Sequence, residues 1–140
     1  GENRDKGKAE AGLLDPVPRA LPALVEAQQL TARAASVGFD WDRPEQVLAK
    51  LEEELQELAE ARREGQTEEV GKEVGDLLFV LVNLARLLKV DAEQALRGSN
   101  AKFRGRFGYL ECKLAEQGKP LAEATLAEMD QLWEEAKRNP

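Results

Sequence analysis

The sequence predicts an all-α protein, an antiparallel helical bundle of four to five helices that dimerises through a central apolar helix. Three observations lead there. Aromatic residues are only 5% of the chain while Leu, Ala and Glu abound, and runs rich in β-branched residues are few, which disfavours sheet. Apolar residues recur at three- and four-residue spacing between punctuating glycines and prolines. Residues 73–88, EVGDLLFVLVNLARLL, open on two acids and are then apolar almost all the way round, interrupted only by Asn83 and Arg86. A helix of that kind is buried in a core or between subunits.

Taken in order, residues 1–12 are polar, mixed in charge and glycine-bearing, and are expected to form a flexible leader or linker reaching residue 18, with the folded domain over 19–140. The sole methionine is Met129, so Gly1 is expected to follow a part removed from a longer chain. Asp15-Pro16-Val17-Pro18 is a stiff turn into a first helix over about 21–37, with Leu24, Ala27, Leu30 and Ala34 at helical spacing and Gly38 as its stop. Phe39-Asp40-Trp41-Asp42 makes a short loop, and Asp42 is the expected cap of a second helix over about 44–63, with Pro44 in its first turn. Val47, Leu51, Leu55 and Leu58 form the expected buried stripe of that helix, and Gly65 ends it.

Thr67 is the expected cap of the central helix, with Glu68 and Glu69 where the helix dipole favours acids. Lys89-Val90-Asp91 reads as a tight connection, with Asp91 capping a fourth helix to about 117 that Gly98, Gly105 and Gly108 weaken. Gly118 and Pro120 break the pattern, and a last helix spans about 125–137 with Leu126, Met129 and Trp133 on one face. There is no internal repeat.

The composition narrows the chemistry. With no histidine, His-ligated zinc, His general bases and the Glu-x-x-His di-iron pattern are all ruled out. Any metal must be held by oxygen, which favours Mg²⁺, Mn²⁺ or Ca²⁺. Cys112 stands alone, which excludes an internal disulfide and fits a reducing, cytoplasmic setting. A net charge of −7 argues against a nucleic acid polymer as partner, and no apolar run reaches membrane-spanning length. A small phosphorylated ligand needs only a local basic cluster and a metal.

The acids supply that metal site. Glu54 lies beside the apolar stripe of the second helix, with Glu57 one turn on. Glu73 and Asp76 stand one turn apart at the start of the central apolar run. In an antiparallel hairpin turning at Gly65, Glu57 and Glu73 are each eight residues from the turn (65 − 57 and 73 − 65), and Glu54 and Asp76 each eleven (65 − 54 and 76 − 65). Both pairs therefore come level. Glu52, Glu60, Glu68 and Glu69 read instead as solvated surface. Like charges this close repel by about 1 kcal/mol per pair in water and about 4 kcal/mol at intermediate dielectric, so a divalent cation is the expected partner.

On the fourth helix Lys102 and Arg106 share one face at a spacing of four, suited to phosphate, while Phe103 and Phe107 read as core. Trp133 and Lys137 repeat the spacing on the last helix. Lys50 faces the same border as Glu54, and Asn83, seven residues past Asp76, is placed to contact sugar or base or to bond between helices.

These residues together resemble a known family, the MazG-type nucleoside triphosphate pyrophosphohydrolases. The resemblance is carried by VGFDW (37–41), Glu53-Glu54-Leu55-Gln56-Glu57, Glu73-Val74-Gly75-Asp76-Leu77-Leu78-Phe79 with VNLAR (82–86), Asn100-Ala101-Lys102-Phe103-Arg104-Gly105-Arg106-Phe107 and Trp133. The family pattern, Glu-Glu-x-x-Glu followed at a distance by Glu-x-x-Asp, is matched in full. PRALPAL (18–24) is similar to the approach to the C-terminal domain of two-domain members.

The resemblance implies Mg²⁺-dependent hydrolysis of (deoxy)nucleoside triphosphates between the α and β phosphates, yielding monophosphate and pyrophosphate and clearing nucleotide pools as a house-cleaning hydrolase. It implies metal ligation by Glu54, Glu57, Glu73 and Asp76, with Glu53 orienting a ligand or water. Lys102 and Arg106 would then contact the triphosphate, and Trp133, with Lys137 beside it, would serve as a platform for the base. Glu69 and Lys72 depart from the acids and lysine usual before the Glu-x-x-Asp. A homodimer or higher even-numbered oligomer is also implied. The alternative is a non-catalytic helical module that binds a nucleotide or a partner.

Overall fold

A computed structural model of the chain describes residues 12–139. Among them lie five α-helices and one short 3-10 turn, and no strand. The helices are α1 (Ala23–Ser36), α2 (Pro44–Arg63), α3 (Thr67–Leu87), α4 (Ala92–Glu116) and α5 (Leu126–Arg138), with the 3-10 turn at Leu121–Glu123. The all-α expectation holds. The flexible leader expected over 1–18 falls for the most part outside the described residues. Within its described part, Val17 is buried and the Arg33 side chain donates to the Leu13 carbonyl at 2.7 Å.

The chain divides into two compact units, residues 1–93 and 94–140. In the first unit α3 is the central element, packing along α2 and against α1. The α2–α3 hairpin turns where the sequence places it. Gly65 adopts φ +69°, and Gln66 N–H reaches back to the Ala61 carbonyl at 3.0 Å while Gly65 N–H meets Arg62 at 3.2 Å. That pair of bonds closes the helix only with a left-handed residue between, which glycine supplies at least cost. Gly38 ends α1 in the same way, with φ +94° and the Phe39 N–H on the Ala34 carbonyl at 3.1 Å.

Two expected caps differ. Arg43, not Asp42, occupies the N-cap of α2, and the Gln46 side chain accepts from the N–H groups of both Asp42 and Arg43. One side chain thus serves two otherwise orphaned donors. Thr67 is the first residue of α3 rather than its cap, a place Gln66 takes without a side-chain bond.

The core of the first unit holds Val47, Ala61, Val80 and Val82, with Thr31 from α1. Here the stripe expected on α2 is corrected. Leu55 is 54% exposed, and its neighbour Glu54 takes the inward position at 6%. The described helices include none long and apolar enough to cross a membrane.

In the second unit Leu110 and Leu114 of α4 pack with Leu132 of α5, flanked by Phe107, Ala124 and Met129. The inward face of α5 is therefore Leu132 and Ala136, with Met129; Leu126, expected on that face, is 71% exposed. The α5 cap is a reciprocal pair, the Thr125 hydroxyl accepting from Glu128 N–H at 3.1 Å and the Glu128 carboxylate accepting from Thr125 N–H at 3.1 Å. Phe107 packs as expected, but Phe103 is 59% exposed rather than core.

Candidate metal and nucleotide site

The hairpin delivers the acids. Glu54 and Glu57 rise from successive turns of α2, Glu73 from α3, and carboxylate oxygens of all three lie within 4.8 Å of one another. Asp76, one methylene shorter, stays outside that trio, yet its charge helps raise the Glu73 carboxyl. The structure so draws three of the four expected acids into one group and keeps the fourth beside it.

The electrostatics of this group are uneven. Glu73 is pushed up to about 7, first by Glu54 hydrogen-bonding against it, then by burial, then by the charges of Glu54, Glu57 and Asp76. Glu54 moves the other way, below the usual range, because Glu73 holds the proton between them; burial opposes this and the Lys50 ammonium assists it. Lys50 stands 3.2 Å from Glu54 and 3.3 Å from Glu53, and these carboxylates raise its own pKa, Glu54 foremost. Glu53 is exposed on the outer edge of the group.

A divalent ion fits this arrangement. One oxygen each of Glu54 and Glu73 is buried and accepts no hydrogen bond from any described residue. Buried carboxylate oxygens without donors are costly, and a cation is the partner that satisfies several at once. An all-carboxylate donor set suits a hard ion such as Mg²⁺, Mn²⁺ or Ca²⁺.

The remaining expected residues fall in two places. Lys50 and Asn83 belong to the first unit with the acids. Lys102, Arg106, Trp133 and Lys137 belong to the second. There the Arg106 guanidinium lies over the Trp133 ring, 5.8 Å from its centroid, and Phe103 tilts against the same indole with centroids 5.3 Å apart. Lys102 is exposed with no ion-pair partner among the described residues, and Lys137 pairs with Glu134 at 3.4 Å.

Sequence reasoning missed one arrangement. Arg86 donates to both oxygens of Asp40, at 3.1 and 2.5 Å, to the Thr31 hydroxyl at 3.3 Å and to Asn83 Oδ1 at 3.0 Å. The signal was present, since a lone arginine in an apolar helix demands an acid, and Asp40 sits in the aromatic loop 46 residues away.

A family model, the MazG nucleotide pyrophosphohydrolase domain, matches residues 42–109, which include all four acids, Lys102 and Arg106 but not Trp133 or Lys137. The chain is 42% identical over 134 residues to the nucleoside triphosphate pyrophosphohydrolase/pyrophosphatase MazG of Thermotoga maritima, covering 96% of this chain and 51% of that protein. It is 41% identical over 133 residues to the nucleoside triphosphate pyrophosphohydrolase of Escherichia coli K12, covering 94% and 51%. A Bacillus subtilis protein, YabN, is 46% identical over 134 residues, 95% of this chain and 27% of its own length. The chain spans about half the length of the first two relatives.

Proposed function

For a chain that is a MazG-type pyrophosphohydrolase domain, we propose divalent-metal-dependent hydrolysis of (deoxy)nucleoside triphosphates to monophosphate and pyrophosphate. The observation that carries this reading is the pair of buried, unpartnered oxygens on Glu54 and Glu73 inside a group of three carboxylates. Such a group is unfavourable by itself and becomes favourable with a cation and the phosphates the cation attracts.

Glu54, Glu57 and Glu73 hold the ion, and Asp76, next along α3, completes the ligand set; Mg²⁺ is the ion proposed, with Mn²⁺ able to replace it. A bound ion supplies a Lewis acid for phosphate oxygens and lowers the pKa of a water. Before the ion enters, Glu73 carries a proton near neutral pH and Lys50 offsets the Glu54 charge. Glu53, exposed at the edge, orients the attacking water and accepts its proton. Lys102 and Arg106 offset charge on the triphosphate as the α–β bond breaks, and Trp133 and Lys137 make further contacts to the nucleotide.

We assign the protein to the cytoplasm, without a nucleic acid polymer or membrane as partner, and to a homodimer. Val74, Leu78 and Leu81 form an exposed stripe at i, i+4 and i+7 along α3, with exposures of 43, 51 and 48%. That is the apolar surplus expected to meet a second copy.

The test is pyrophosphate release from a nucleoside triphosphate panel with Mg²⁺ against EDTA. Mg²⁺-dependent release of equal amounts of monophosphate and pyrophosphate supports the reading. Nucleotide binding without turnover would leave the non-catalytic module.

A further inference from the structure

Beside the acids, and within the first unit, lies an apolar cavity of about 600 Å³. Leu30, Phe39, Trp41, Phe79 and Val80 supply its greasy walls. Lys50 lines it too, and the Lys50 ammonium rests on Glu53 and Glu54, so the cavity begins where the acid group ends. Along α3, Phe79 and Asn83 follow Asp76 by three and seven residues, about 4.5 and 10 Å of helix rise. An anionic ligand held through a metal at the acids and carrying a flat apolar group at its other end fits this succession. A nucleobase is such a group.

The polar groups in the wall decide which edge of a base is welcome. Both Asp40 oxygens accept from Arg86, and one also accepts from Trp41 N–H at 2.8 Å. The Thr31 hydroxyl donates to the carbonyls of Ala27 and Gln28, at 2.9 and 3.1 Å, and accepts from Arg86. Arg86 also donates to Asn83 Oδ1. A guanidinium has donors only, so this contact fixes the Asn83 carboxamide with its oxygen towards Arg86. The amide NH₂ is left facing away, with no hydrogen bond to any described residue. Lys50 is turned to the carboxylates. Among the side chains lining the cavity, the Asn83 NH₂ and the Trp41 indole N–H are the neutral donors without a hydrogen bond to any described residue, while the Asp40, Thr31 and Asn83 oxygens already accept from Arg86.

We propose that Asn83, oriented by Arg86, is a specificity-determining residue that favours nucleotides whose base presents a carbonyl where others carry an exocyclic amino group. A carbonyl accepts from the Asn83 NH₂, whereas an amino group there sets donor against donor and leaves both unsatisfied. Arg86 is a positioning residue, acting on the base through Asn83. This inference rests on the hydrolase reading above, and its test separates the two.

The experiment compares kcat/KM for pyrophosphate release from ITP and ATP, and from UTP and CTP, pairs that differ chiefly in oxo against amino. The oxo member is expected to lead by about fivefold or more in both pairs, the scale of one net hydrogen bond. Asn83→Leu brings both ratios towards one, and Arg86→Met lowers them by freeing the amide to turn. A ratio taken within one preparation is not moved by the folded fraction, so a purely structural role for Arg86 would leave it unchanged. Equilibrium binding of IMP and AMP reads the same preference without turnover. No turnover with IMP preferred sinks the hydrolase and keeps the Asn83 assignment. Turnover with ratios near one in wild type, or ratios that survive Asn83→Leu, overturns the inference and spares the hydrolase.

Discussion

Glu54 and Glu73 approach across the α2–α3 hairpin with carboxylate oxygens within 4.8 Å, and each keeps one buried oxygen that no described residue satisfies. Neither acid can ionise without regard to the other. Glu54 carries the charge, helped by Lys50, while Glu73 keeps its proton up to about pH 7. The hairpin thus holds an electrostatic cost at the place where a ligand would remove it.

The pH dependence follows in sign from the raised Glu73 pKa. The folded metal-free protein prefers Glu73 protonated, so this group favours folding fully below its ordinary value of 4.5. That contribution is lost as pH rises through about 7. In EDTA, Tm is expected to fall between these values in the wild type, and Glu73→Gln is expected to remove that part of the fall. A Glu73→Gln profile parallel to wild type would refute the assignment.

Mg²⁺ alone should raise thermal stability. An ion that binds only the folded hairpin stabilises it by about 2.7 kcal/mol at a hundredfold excess over its Kd. Glu54→Gln combined with Glu57→Gln is expected to abolish the gain, as read by differential scanning fluorimetry without nucleotide.

Asp76→Asn is expected to reduce pyrophosphate release to near background while the helical circular dichroism signal is retained. Its carboxylate is exposed and outside the close trio, so the fold does not depend on it. A slightly higher melting temperature in EDTA should accompany the loss, since one repulsive charge beside Glu73 is gone.

Assembly is tested on the exposed stripe of α3. Leu78 is 51% exposed, so Leu78→Ala leaves the protomer intact and weakens association, by about 1.5–3 kcal/mol for each side chain it would bury. Val82 is 2% exposed and belongs to the core, so Val82→Ala should cost folding stability, about 2 kcal/mol, whatever the oligomer. Light scattering at micromolar concentration reads mass. A wild-type monomer there would reject the dimer.

The sequence alone determined the helices and much of the acid group, because both are local. Gly65 punctuates a hairpin whose length is counted in residues, and counting from it levels Glu57 with Glu73 and Glu54 with Asp76; the structure gathers Glu54, Glu57 and Glu73 and leaves Asp76 beside them. Periodicity could not decide whether Glu54 or Leu55 faces inward, since adjacent residues differ by about 100° and both lie near the edge of the stripe. Packing of α2 on α3 chose Glu54 and left Leu55 in solvent. The same limit hid the Arg86 clamp. Asp40, Thr31 and Asn83 come from a loop and two helices, and only the tertiary fold sets a hydrogen bond's length and direction between parts so distant in the chain.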